Sequence, residues 1–192
     1  GLEPGQAVLD LAREIVRLPG VDFQGLFTWE GFVTREKDLE RRTQMVHEAL
    51  KKVVDTKEML EDAGIPVPIV SAGGTGDYLM AAKYPGVTEI EAGGGCFMDL
   101  TYSDLYGHVG PLRYALTILS TVVSRPHPDR AVCDAGRKAM SNQRMMPRAM
   151  NVPGAKLVRL SAEHGVLALE DEGIKLKIGD RVEFIPGYSD DT

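Results

Sequence analysis

Cysteine, tryptophan and long apolar runs are scarce in this chain, and each scarcity excludes something. There are two cysteines, Cys96 and Cys133, far apart and without Cys-x-x-Cys spacing. That rules out a zinc ribbon or a disulfide scaffold and leaves two reduced thiols. The longest apolar stretch, near Tyr114 to Val123, falls short of the roughly 18 residues a bilayer demands. No secretory signal is visible, although the chain opens on Gly1 rather than Met, so the expected compartment is the cytoplasm. A net charge of −6 gives no support to a nucleic-acid or membrane-surface role. Neither GxxxxGK[ST] nor a helix-opening GxGxxG is present, which excludes a P-loop and a dinucleotide fingerprint. Internal repeats and low-complexity segments are also missing.

The first half alternates helices and strands. Val8, Leu11, Ala12, Ile15 and Leu18 follow helical spacing after Pro4, and Pro19-Gly20 stops them. Val21 to Phe27 reads as a buried strand. Thr34 is the expected N-cap of a long helix ending near Ala63-Gly64, with Leu39, Val46, Ala49, Leu50, Val53 and Leu60 as its stripe. A strand over Val67 to Val70, a short helix over Asp77 to Lys83 and a strand over Val87 to Ile90 follow. This order calls for parallel strands joined by crossover helices.

The pattern changes near Gly107, Gly110 and Pro111. Strands are predicted at Ala115 to Val123, Arg130 to Cys133, Lys156 to Leu160, Val166 to Leu169 and Arg181 to Ile185, separated by turn signals. Three α/β units cannot close a barrel that takes roughly 250 residues. The segment is therefore an open sheet or the back half of a (β/α)8 barrel. The expected fold class is α/β plus β, divided as residues 1–108, a partial barrel, and 109–192, a small, mostly antiparallel β domain.

Two glycine clusters carry the chemistry. Ser71-Ala72-Gly73-Gly74-Thr75-Gly76 and Gly93-Gly94-Gly95 each follow a β-branched run. Glycine allows positive φ and close approach to the main chain, so two such turns on successive parallel strands form a candidate anion cradle of backbone N–H groups. Barrel phosphate sites lie in such late loops. The plainer alternative is a pair of tight turns with no ligand.

These residues resemble a known family. Val70 to Tyr78, Pro85 to Gly93, Phe97-Met98-Asp99, Thr121 to Pro126, Asp134 to Ala139, Ser161 to Gly165, Gly179 to Val182 and Ile185-Pro186-Gly187 are similar, in order and spacing, to the D-threonine aldolase and D-serine dehydratase-like family. The resemblance covers nearly the whole chain. It implies pyridoxal 5'-phosphate as cofactor, the alanine-racemase-like fold, a small D-amino acid as substrate and a homodimer in which one subunit's β domain faces the other's barrel. On that resemblance Ser71, Gly73, Gly74, Thr75, Gly93, Gly94 and Trp29 are the expected cofactor-binding residues.

Departures from the family pattern are informative. The Schiff-base lysine of the family lies on the first barrel strand, and none of the lysines here has a matching context, so the lysine is not in this chain. Without that amine a pyridoxal enzyme lacks its covalent anchor, and the chain by itself is expected to be inactive. Asp190 matches the family's metal-binding carboxylate, but Tyr188 stands in the histidine position. A divalent Mn, Mg or Zn ion is expected on Asp190 and Tyr188 only weakly, because a protonated phenol is a poor ligand; the alternative is a solvated acidic tail. The family's Ser-Tyr is here Gly94-Gly95, and its Tyr-Glu-Gly-His is Trp29-Glu30-Gly31-Phe32. Trp29 fits either a ring wall beside the cofactor or plain packing. His47, His127 and His164 read as surface or turn residues. Ser141 to Pro153 is a long loop in a basic stretch with Arg137, Lys138, Arg144 and Arg148.

The resulting expectation is a portion of a pyridoxal-phosphate lyase acting on D-β-hydroxy-α-amino acids by retro-aldol cleavage. D-serine dehydratase-type β-elimination and a non-catalytic relic or phosphate-binding module lacking the Schiff-base lysine are the alternatives.

Overall fold

The apolar spacing at the start of the chain folds as α1, Gln6–Ile15, in a computed structural model that describes residues 1–170 and 174–192. Leu9 and Ala12 are its buried face. The strand expected over Val21 to Phe27 is only three residues long, β1, Gly25–Phe27. The long helix, α2, spans Leu39–Asp62. Its N-cap is Asp38, not Thr34: the Asp38 carboxylate accepts the Arg41 N–H at 2.7 Å. Thr34 instead closes the short 3₁₀ turn Gly31–Val33, donating its hydroxyl to the Gly31 carbonyl at 2.9 Å. Val46, Leu50, Val53 and Leu60 of the predicted stripe are buried, whereas Leu39 is exposed.

β2, Ile69–Ala72, starts two residues later than predicted. Pro66 and Pro68 have no N–H to give to a ladder. α3, Tyr78–Ala81, and β3, Glu89–Ile90, complete the α/β run. The three strands form a parallel sheet in the order β1-β2-β3, with Phe27 opposite Ser71 and Ala72 opposite Ile90. One apolar cluster packs Leu9, Leu60 and Val70 together, and a second packs Val33, Val46, Leu50 and Ala72.

The second half is antiparallel, as the sequence predicts. Its strands are β4, Ile118–His127, β5, Arg130–Cys133, β6, Arg148–Ala149, β7, Ala155–Leu160, β8, Gly165–Leu169, and β9, Arg181–Ile185. They form one sheet in the order β6-β9-β4-β5-β8-β7, and the two edge strands, β6 and β7, approach one another. β4 runs on through Pro126, with register shifts between Val122 and His127; bulges of this kind tolerate proline. β6 lies inside the loop expected over Ser141 to Pro153 and exists because it pairs with β9. Val122, Ala131, Leu157, Leu167 and Phe184 form the core, together with the free thiol of Cys133.

The chain comprises two compact units. Gly1–Gly93 and Tyr106–Gly110 belong to the first, Gly94–Leu105 and Pro111–Thr192 to the second. The chain thus leaves the first unit, returns to it for a few residues and leaves again. No helix among the described residues is long and apolar enough to cross a membrane.

Candidate functional site

In the first unit the chemistry gathers where β1 and β2 end. The turn from Ser71 to Asp77 is buried throughout. Gly73 takes φ +75°, and a Cβ there would come within 2.7 Å of the Ala81 Cβ, so only glycine fits. Gly74 is a case of close approach: a Cβ would lie 2.9 Å from Nε1 of Trp29. Trp29 is 67 % exposed.

The amides of this turn are already bonded. Gly73 N–H donates to Glu30 Oε2 at 3.0 Å, and Gly74 N–H donates to Asp77 Oδ1 at 2.8 Å. Two successive amides aimed at two acidic oxygens form an anion nest, and the groups in it belong to the chain itself. Glu30 and Asp77 are 1 % and 2 % exposed, and their other oxygens, Glu30 Oε1 and Asp77 Oδ2, have no hydrogen-bond partner among the described residues. Burial, reinforced by the charge of Glu30, raises the Asp77 carboxyl to about 7, against the partial opposition of the Gly74 amide and Arg42. Ser71 is engaged as well: its hydroxyl lies 2.7 Å from Glu89 Oε1 and 2.5 Å from Glu91 Oε1.

Arg42 holds the frame around this turn. It is fully buried in α2, and its five N–H groups go to five carbonyls. Nε donates to Val33 at 3.1 Å, Nη1 to Gly107 at 3.1 Å and Gly76 at 3.4 Å, and Nη2 to Tyr106 at 2.9 Å and to Thr34. Burial lowers its pKa, while Asp77 and Glu36 oppose the shift.

A phosphate does not fit the Gly73-Gly74 turn in this state. It would meet two buried carboxylates on the amides it needs. Gly93 begins the short 3₁₀ turn Gly93–Cys96; its own amide donates to Glu91 O at 2.8 Å, and a side chain there would meet open space.

The second unit holds the expected metal corner. Buried Asp99 organises it. Asp99 Oδ2 accepts from the Ser189 amide at 2.6 Å and the Ser189 hydroxyl at 2.7 Å, and Asp99 Oδ1 accepts from the Tyr102 amide at 2.8 Å. Leu100 and Thr101 amides donate to Pro186 and Gly187 carbonyls at 3.2 and 3.0 Å. This stitching brings the Tyr102 hydroxyl to Asp190 Oδ2 at 3.1 Å. The Tyr102 and Tyr188 rings lie 6.0 Å apart, and the Arg144 guanidinium sits 4.6 Å from the Tyr188 ring centre. Gly94 lies against the Tyr102 ring, where a Cβ would collide.

Both phenols stay protonated. Burial, then Asp190, drives Tyr102 well above its ordinary value and raises Tyr188 to about 12. They donate hydrogen bonds rather than ligate. Among the described residues no group of three His, Cys, Asp or Glu is placed to hold a metal ion. The donor set at Asp190 and Tyr188 does not fit a divalent ion.

Sequence reasoning missed Glu30, Asp77, Arg42, Asp99 and Tyr102. Arg42 had a signal: it stands one turn before Val46, on the apolar stripe of α2. His47 is half-buried with its ring centre 5.1 Å from that of Tyr84, and His127 and His164 are exposed.

Comparison with known proteins adds the following. A family model described as "Alanine racemase, N-terminal domain" matches residues 1–101, and one described as "Putative serine dehydratase domain" matches residues 115–192. A D-threonine aldolase of Arthrobacter sp is 31% identical over 194 residues, covering 100% of this chain and 51% of that protein. A 3-hydroxy-D-aspartate aldolase of Paracoccus denitrificans (strain Pd 1222) is 30% identical, again over 100% of this chain and 51% of its own length. The crystal structure of D-threonine aldolase from Filomicrobium marinum superposes with a TM-score of 0.90 at 27% identity, covering 98% of this chain and 52% of that one. The chain thus spans about half the length of the curated relatives it matches.

Proposed function

Because the chain belongs to the alanine racemase N-terminal-domain family, continued by the serine dehydratase-type domain, we propose that it is a portion of a pyridoxal-phosphate-dependent lyase. Its substrates would be D-β-hydroxy-α-amino acids, cleaved by retro-aldol reaction to glycine and an aldehyde. The observation that carries the reading is similarity along the whole chain to two aldolases of such substrates. The fold agrees with a portion of a barrel. β1 and β3 are the outer strands of their sheet, and Phe27, Trp29 and Phe32 stand exposed beside β1, where further strands would cover them. A cytoplasmic homodimer goes with this reading.

Within it, the chain's own residues have defined tasks. Arg42 fixes the carbonyls around the glycine turn, Trp29 lies over Gly74, and Asp99 holds the tail that carries Tyr188 and Asp190. Gly93 and Thr75 remain the cofactor-side candidates of the first unit, and Gly94 that of the second. Gly73 and Gly74 hold carboxylates in the state described, and Asp190 with Tyr188 offers no metal-binding set.

One observation favours a second reading. The closed Gly73-Gly74 turn is what a non-catalytic module without the Schiff-base lysine would tolerate. The test is product analysis with D-threonine and D-3-hydroxyaspartate, using the protein expressed from its complete coding sequence. Glycine with acetaldehyde or glyoxylate supports the aldolase. Ammonia with 2-oxobutanoate or oxaloacetate transfers the assignment to β-elimination. Neither product set, with pyridoxal phosphate supplied, leaves the non-catalytic reading.

A further inference from the structure

We propose that Glu30 and Asp77 share a single proton and together form a built-in monoanion that latches the Gly73-Gly74 turn shut, a latch released when that proton leaves for solvent. The proposal does not depend on the lyase reading, because it concerns only groups of the first unit.

Three observations support it. The first is the symmetry of the bonding. Each carboxyl places one oxygen on one of two successive amides and leaves the other oxygen buried without a partner. The two carboxyls sit on adjacent amides, and the charge of Glu30 acts on Asp77. If both were ionised, neither orphaned oxygen would have a donor. One proton on Asp77 Oδ2, donated to Glu30 Oε1, satisfies both.

The second is charge balance. Arg42 is the cation that acts on Asp77, and all five of its N–H groups are taken by carbonyls. It acts through space as one positive charge against two carboxylates. A single proton makes the buried set neutral, and two bare carboxylates would not. Neighbouring groups engaged in bonds of their own are acidic. Glu89 and Glu91, flanking the end of β3, share the Ser71 hydroxyl, and Glu36 pairs with Arg41 at 3.1 Å.

The third is burial. At 1 % and 2 % exposure, neither carboxyl can recover its hydration without the turn moving. Loss of the proton therefore sets like charges against each other on adjacent amides, and the relief available is for a side chain to swing out.

The reporter is already in place. Trp29 is the only tryptophan of the chain, and its Nε1 lies against Gly74. Its fluorescence, followed from pH 4.5 to 9, is expected to show one step with its midpoint near 7. Asp77→Asn, which keeps an acceptor for the Gly74 amide and gives Glu30 a permanent donor, is expected to abolish the step. Glu30→Gln is expected to move it at least one pH unit to the acid side, since Asp77 then loses its like-charged neighbour. A step unchanged in Asp77→Asn overturns the proposal, and so does a step unmoved in Glu30→Gln. Should either variant fail to fold, a titration of the aspartate Cγ resonances in ¹³C-labelled wild-type protein decides. One aspartate titrating near neutrality is required, and its absence refutes the shared proton.

Discussion

Replacing Arg42 by methionine should nearly unfold the first unit, and the size of the loss can be worked from its contacts. The guanidinium satisfies five backbone carbonyls, those of Val33, Thr34, Gly76, Tyr106 and Gly107. Methionine fills much of the same volume and satisfies none of them. At about 1 kcal/mol net for each bond, the loss is about 5 kcal/mol. A second route gives a similar figure. Arg42 offsets the charge of Asp77, and removing one partner of a buried charged set costs about 3–5 kcal/mol. A domain's whole stability is about 5–15 kcal/mol, so Arg42→Met takes a large share of it. Arg42→Lys keeps the charge but has three donors from one atom rather than a planar fork. It should leave at least two carbonyls unpaired and cost about 2 kcal/mol. The assay is urea unfolding read by Trp29 fluorescence, which reports the first unit alone. It should be run near pH 6, where the acid pair holds its proton. A loss under about 1 kcal/mol for Arg42→Met, or no difference between lysine and arginine, would refute the account of Arg42 as a carbonyl clamp.

Two further outcomes are expected. The raised Asp77 carboxyl means that the folded chain holds a proton that the unfolded chain has released. Stability should therefore be greatest below the ordinary aspartate value of 3.8, as far as this group is concerned, and fall as pH rises to about 7; urea midpoints across that window, flattened in Asp77→Asn, check the sign. Asp99→Ala should free the C-terminal tail by removing the acceptor of the Ser189 amide and hydroxyl, at a cost of about 2–3 kcal/mol. Hydrogen exchange at Ser189 and Thr101 should accelerate while the amides of β5 and β8 stay protected.

Periodicity made most of the framework readable. β5 and β9 fall where alternation and turn signals put them, and the α2 stripe, apart from exposed Leu39 and half-buried Ala49, lies on the buried face of its helix. Local chemistry was harder to rank. Thr34 and Asp38 are both good caps, and the choice between them depends on where the preceding 3₁₀ turn ends. β6 is two residues in a methionine-rich loop and becomes a strand only through its partner β9. The candidate site divides the same way. Both glycine clusters stand out in the sequence because glycine is demanded locally. What occupies the first cluster does not, because Glu30 lies 43 residues away from Gly73 along the chain and the pairing is a fact of three dimensions. Asp77 sits within the motif but reads only as the first residue of a short helix until its burial is known. Arg42 was visible as a charge on an apolar stripe, and only a question about what a buried guanidinium would bind could have given it a role.

The return of Tyr106–Gly110 to the first unit has a consequence for heredity and for dissection. No single peptide bond divides the two units. A truncation between residues 108 and 109 would strip Gly94–Leu105 of the unit it belongs to, and a cut after Gly93 would take from Arg42 the Tyr106 and Gly107 carbonyls it clamps. Recombination that exchanged the β domain between relatives would have to carry three junctions at once, or swap whole chains. Interleaving of this kind ties the evolution of the glycine-turn unit to that of the domain that follows it.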